Sequence, residues 1–147
     1  MAQFARPSTD TYNADGWTDE VDGTAIYASI DETSPNDSDY IQSALAPTSD
    51  VYVTKLTTIE DPVSSSGHTV RIRHAKNAAG GATVNLTVQL RQGYVNEGTP
   101  GTLIATVMNA VALGDALSTT TYNLSGGEAD AITNYADLYL RYLANQA

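Results

Sequence analysis

The chain contains no cysteine. A disulfide frame and a thiolate metal site are therefore excluded. Histidine occurs twice, at His68 and His74, so a zinc site would have to lean on carboxylates. Seven Lys and Arg face seventeen Asp and Glu, for a net charge of −10. So few cations do not make the basic surface that DNA or RNA requires. No apolar run approaches the length of a membrane span, and Met1–Asp10 lacks the apolar core of a secretory signal. Neither nucleic acid nor membrane is expected as a partner, and synthesis in the cytoplasm is the default. The GxSxG, P-loop, GxGxxG and HExxH patterns are also missing. No catalytic residue and no cofactor is expected. There is no fixed-period repeat and no low-complexity tract.

What is present is alternation. In His68–Lys76, Val70, Ile72 and His74 share one face of an extended segment, with Arg71 and Arg73 on the other. In Ala82–Gly93, Val84, Leu86, Val88 and Leu90 oppose Asn85, Thr87, Gln89 and Arg91. Period two over such lengths marks strands with one buried and one wet face. The polar link through Gly80-Gly81 suggests that the two pair as a hairpin. Further strands are expected at Thr24–Ile30, Tyr40–Ser43, Val51–Ile59, Leu103–Val107, Ser118–Leu124 and Ala136–Ala144. Leu103, Ala105 and Val107 are expected on one face. Asn109–Leu117 suits a helical turn as well as an irregular strand. Ser125–Asn134 suits a short helical turn, with Glu128 and Asp130 near its positive end. At 147 residues one domain is expected. The pattern of about eight short strands separated by turns predicts an all-β fold, an antiparallel β-sandwich or jelly roll spanning residues 25–147.

Residues 1–24 read as an extended N-terminal arm, rich in turn formers such as Pro7, Asn13, Gly16 and Gly23. Phe4, Tyr12 and Trp17 punctuate it, too many aromatics for a disordered tail. With Arg6 they are the interface candidates, pinning the arm to its own domain or to a neighbour. The arm is expected to be dispensable for folding.

Charge is unevenly placed. Residues 1–61 hold twelve acids and two bases, whereas residues 62–147 hold five of each. Asp31, Glu32, Asp37 and Asp39 offer oxygen ligands of the kind calcium takes, but without the spacing of a calcium loop. Solvated turns are the commoner origin of such acids. Ser64–Ser66 precede His68, so a Ser–His pair can be drawn, though nothing supplies a third member. His74 on an apolar face reads as a satisfied rim residue. Nine tyrosines outnumber the single Phe and single Trp. Tyrosine suits half-buried surfaces, including protein interfaces and sugar platforms. Tyr135, before the last strand, is placed for a tyrosine corner.

Several stretches carry a resemblance. Arg6-Pro7, Gly16-Trp17-Thr18, Ile30-Asp31-Glu32 and Asp37-Ser38-Asp39-Tyr40-Ile41 are among them. So are Val70-Arg71-Ile72-Arg73, Val88-Gln89-Leu90-Arg91-Gln92-Gly93 and the ending Ile132–Arg141. Together the chain resembles small virion proteins of tailed bacteriophages and prophages. The resemblance implies a β-sandwich on a head or tail with no catalytic residues to carry over. It implies a virion location, with the major capsid protein and further copies of the chain as partners. A capsid decoration (cement) role is the leading expectation. A tail or fibre module that binds a host-surface glycan is the alternative.

Overall fold

The computed structural model describes residues 2–20 and 25–147. Asp22, Gly23 and Thr24, the end of the expected arm and the start of the first expected strand, lie outside them. The fold is all-β and sandwich-like, with antiparallel sheets.

The main sheet has five strands. They are β1 (Pro7–Asn13), β4 (Thr48–Leu56), β6 (Val84–Gln92), β7 (Thr102–Ala112) and β9 (Leu138–Gln146), in the order β1-β4-β9-β6-β7. Two short ribbons complete the fold: β2 (Thr18–Asp19) with β3 (Ile41–Gln42), and β5 (Thr69–His74) with β8 (Ser118–Asn123). A five-residue helix α1 (Gly126–Asp130) follows β8.

The period-two pattern explains the core. Tyr52 on β4, Leu86, Val88 and Leu90 on β6, and Leu138, Leu140, Tyr142 and Ala144 on β9 form one face of the sheet. Ile72 of β5, Leu124 after β8, and Trp17 cover that face. Burying side chains of this size stabilises by about 1.5–3 kcal/mol each. The opposite face carries a smaller cluster of Val51, Val53, Tyr94 and Tyr139, with Tyr12 and Leu143 against it.

Four expectations need correction. First, β5 and β6 do not form a hairpin. β5 pairs with β8, from Thr69↔Asn123 to His74↔Ser118, and β6 pairs with β7 and β9. Alternation encodes which face a residue takes, not which strand lies beside it. Second, Ile26–Ile30 is a 3₁₀ turn rather than a strand. The Asp10 carboxylate accepts the backbone N–H groups of Ile26 (2.9 Å) and Tyr27 (2.8 Å), pulling this segment off any strand path. Third, part of the expected arm is strand β1, paired with β4 from Pro7↔Leu56 to Asn13↔Tyr52. Pro7 opens an edge strand, where a missing N–H costs no ladder bond. Fourth, β7 does not alternate. Its register against β6 slips at three places, and Ala110 takes φ 48°. Leu103 is therefore exposed, while the neighbours Ile104 and Ala105, and again Val107 and Met108, are both buried.

The predicted helical turn is present. Ser125 accepts the Glu128 N–H, and the Glu128 carboxylate accepts the Ser125 N–H at 2.7 Å, a reciprocal capping box. The Asn96–Gly101 turn also holds, closed by paired Asn96 and Thr99. Gly101 there adopts φ +68°, and a Cβ would meet the Gln92 carbonyl oxygen at 2.3 Å.

Candidate functional site

The register places four segments at one end of the sandwich. Pro7 lies beside Leu56, Lys55 beside Tyr139, and Gln92 beside both Leu138 and Thr102. Residues 2–6, 57–68, 93–101 and 124–137 therefore gather at this upper end. The N-terminal segment is clipped there. The Gln3 amide donates to the Glu60 carbonyl (3.0 Å) and accepts the Glu60 N–H (2.8 Å). The Arg6 N–H donates to the Thr57 hydroxyl, and the Arg6 carbonyl accepts the Thr57 N–H.

Between the 57–68 loop and α1 lies a cleft of about 270 Å³. Asp61, Ser64 and Ser65 line one side, and Asp130, Ile132 and Tyr135 the other. Tyr135 is buried, and its hydroxyl lies 2.8 Å from His68 Nε2. Burial raises the Tyr135 phenol pKa, and the charges of Asp61 and Asp130 raise it further. The tyrosine-corner reading is thus replaced. The hydroxyl meets an imidazole rather than a backbone group.

Each expected site residue has a definite place. Phe4 is 57% exposed on the clipped segment. Arg6 donates from its guanidinium to the Asp31 carbonyl at 3.2 Å. Tyr12 lies half-buried on the outer face of the sheet, against the Val51–Val53–Tyr94–Tyr139 cluster. Trp17 is 6% exposed and packs beside Tyr52 and Tyr142. It anchors its own domain and presents no face to a sugar or a neighbour. Of the four acids proposed for calcium, Asp37 is committed to a two-pronged pair with Arg73. Glu32, by contrast, lies close to Asp39 and Asp31, and burial and their charges raise its carboxyl pKa. Among the described residues no group of three or more His, Asp or Glu side chains is placed to hold a metal ion.

The serines do not reach a histidine. Ser64 and Ser66 hydrogen-bond to each other, and His68 turns to Tyr135. His74 Nε2 is 2.9 Å from the Thr120 hydroxyl across the β5–β8 ribbon, but its Nδ1 is buried without a partner, so the ring is only half satisfied. Burial lowers its pKa.

Sequence reasoning missed the cleft residues Asp61 and Asp130, which stand 69 positions apart. It also missed the ion pair on the outer sheet face, where Arg141 grips Glu97 through Nε (3.0 Å) and a terminal nitrogen (2.6 Å). The Tyr94 hydroxyl donates to the same carboxylate at 2.9 Å. That contact belongs to the scaffold, since it ties the 93–101 loop to β9. Comparison with known families, curated proteins and solved structures finds no match.

Proposed function

We propose that this chain is a non-enzymatic structural protein of a tailed-phage particle and acts as a capsid decoration protein. One observation carries the reading. Three apolar side chains are exposed at the upper end, on three of its four segments: Phe4 at 57%, Val63 at 91% and Val95 at 66%. Apolar groups exposed at the end of the sandwich that also holds a clipped terminal segment suit docking on a partner surface. The partners are the major capsid protein and neighbouring copies. The resemblance to small virion proteins supports the same role. The net charge of −10 keeps free subunits apart until they dock.

The test is the copy number of the chain in purified particles, measured by quantitative mass spectrometry against the major capsid protein. Numbers on the scale of the shell support decoration. A handful of copies moves the protein to the tail and favours the glycan-binding alternative. Absence from particles refutes both. Removal of residues 1–6 is the matching genetic test. Removing residues 1–17 would also take β1, Asp10 and Trp17 out of the fold. The shorter truncation is expected to stay folded and bind particles more weakly. Unchanged binding would refute docking through this segment.

A further inference from the structure

The register also defines a lower end of the sandwich. Thr48 lies beside Asn145, Val84 beside Gln146, Asn85 beside Ala112, and His74 beside Ser118. Backbone bonds tie the adjoining segments together there. The Gln146 N–H donates to the Pro47 carbonyl (2.7 Å), Ala147 to Thr83 (2.9 Å), Leu113 to Val84 (2.9 Å) and Lys76 to Gly114 (2.8 Å). Residues 43–48, 75–83, 109–117 and 144–147 therefore gather at this end. They hold two ionisable side chains, Lys76 and Asp115, which neutralise each other at 2.5 Å. Asp15 and Asp50 border the end, and their carboxylates accept the Val51 and Thr48 N–H groups. The upper end differs sharply. Its four segments carry six acids and one arginine, Arg6.

The lower end also exposes apolar side chains. Leu45 is 91% exposed, Leu117 47% and Val111 40%. Leu45 precedes β4 and Val111 lies near the end of β7, with β9 and β6 between them. These groups therefore span three strand spacings, roughly 14 Å. Backbone strain is concentrated in the same place. Ala46 (φ 55°), Ser49 (φ 70°) and Ala110 (φ 48°) are three of the four non-glycine residues with left-handed backbone among the described residues. Such conformations persist only where the surroundings fix them, and they cluster at surfaces that are used. Leu45 and Val111 adjoin Ala46 and Ala110, so they are presented on fixed backbone. That lowers the ordering cost of docking.

We infer that the lower end is the contact surface between two copies of this chain, packed face to face about a two-fold axis. Charge selects the occupant. Two copies at −10 each repel through any surface that carries the acids. The lower end is depleted of charge, as the centre of a protein interface is, and copies approach there at the least electrostatic cost. A strongly basic or acidic partner would find no complement on it. A neutral, apolar-bearing face matches itself, which is the self-complementarity that a two-fold contact demands. The inference goes beyond the docking role of the upper end and does not depend on it. Joined to that role, it leaves the upper end free for the shell.

The test is sedimentation equilibrium of the full chain from about 10 μM to about 1 mM, the range of a weak contact. A monomer–dimer equilibrium is expected. Raising ionic strength about tenfold should strengthen it, because salt screens the repulsion between copies and no ion pair crosses the contact. The L45K/L117K variant sets like charges against each other and should lower the association constant about tenfold or more. Leu45→Lys alone changes a side chain that is 91% exposed, so the fold is kept, and it should weaken the dimer in the same direction. Phe4→Lys at the upper end should leave it unchanged. A monomer throughout the range in high salt, a dimer indifferent to both lysine variants, or one abolished by Phe4→Lys would overturn the inference. Growth past the dimer would mean head-to-tail contact between unlike surfaces and would overturn it too. The outcome is separable from that of the functional reading. A chain missing from particles that still pairs through Leu45 keeps the lower-end contact and loses the decoration role. A shell-wide chain that stays monomeric in solution keeps the role and loses the contact.

Discussion

The Tyr52 hydroxyl donates to Asp10 at 2.6 Å, from a side chain with no exposed surface. The same carboxylate holds the N–H groups of Ile26 and Tyr27. One residue of an edge strand thus satisfies a buried phenol and starts the 3₁₀ turn. Asp10→Ala strands the phenol in the core and frees both N–H groups. A loss of about 2–4 kcal/mol is expected in urea melts. Tyr52→Phe removes one donor and leaves the other two, so about 1–2 kcal/mol is expected. The double variant should cost less than the sum of the two, because the singles break a shared contact.

Glu97 predicts an acid limb. Its hydrogen bonds from Arg141, against some opposing burial, hold its carboxyl pKa below the ordinary value of 4.5. A depressed folded pKa gives stability that is complete above the unfolded value and lost as pH falls through the folded one. Glu97→Gln should therefore cost on the order of 1 kcal/mol at pH 7. The deficit relative to the parent should shrink below pH 4.5. Denaturant melts between neutral and acid pH would show it. A deficit that stays constant with pH would contradict the assignment.

Glu32 has the opposite sign. Burial, followed by the charges of Asp39 and Asp31, raises its pKa, though a backbone hydrogen bond opposes them. A raised carboxyl destabilises the folded state above its folded pKa, and that cost disappears below its unfolded one. Glu32→Gln should gain a fraction of a kcal/mol at pH 7, roughly a few tenths after solvent screening. It should gain nothing in acid. A loss of stability at pH 7 would mean that the charge is used elsewhere.

Gly101 and Gly81 make a matched pair. At Gly101 the left-handed backbone and the approach of Gln92 and Gly93 leave no room for a methyl group. Gly101→Ala should cost about 3 kcal/mol or more, or block folding. Around Gly81 nothing lies within 4 Å of an added Cβ, and its φ lies outside the left-handed range. Gly81→Ala should be neutral within about 0.5 kcal/mol. Parallel thermal melts would separate them.

Strands were legible wherever side chains obeyed the pleat. Val84–Leu90 and Val51–Leu56 announced themselves through β-branched and alternating residues. Pairing was not legible. The Thr69–His74 segment reads the same beside β6 as beside its actual neighbour β8, because nothing local distinguishes them. Ile26–Ile30 looked like a strand since its fate depends on Asp10, sixteen positions earlier than Ile26. Leu103 misled for a related reason: bulges in β7 shift every facing beyond them. The cleft was hidden more completely. Tyr135 and His68 lie 67 positions apart, and Asp61 and Asp130 come to line one cleft only once α1 is folded near the 57–68 loop.

The place of β9 has a consequence for how the molecule comes into being. β1 and β4 make one half of the main sheet, β6 and β7 the other, and only β9 joins them. Both halves must wait for residues 138–146 before they can share a face. Partial chains leaving the ribosome therefore hold two unfinished ribbons and no common interior. Closure is a late, long-range event, of the kind that slows β folding. It also acts as a proofreading step. A chain truncated before β9 cannot assemble the main sheet.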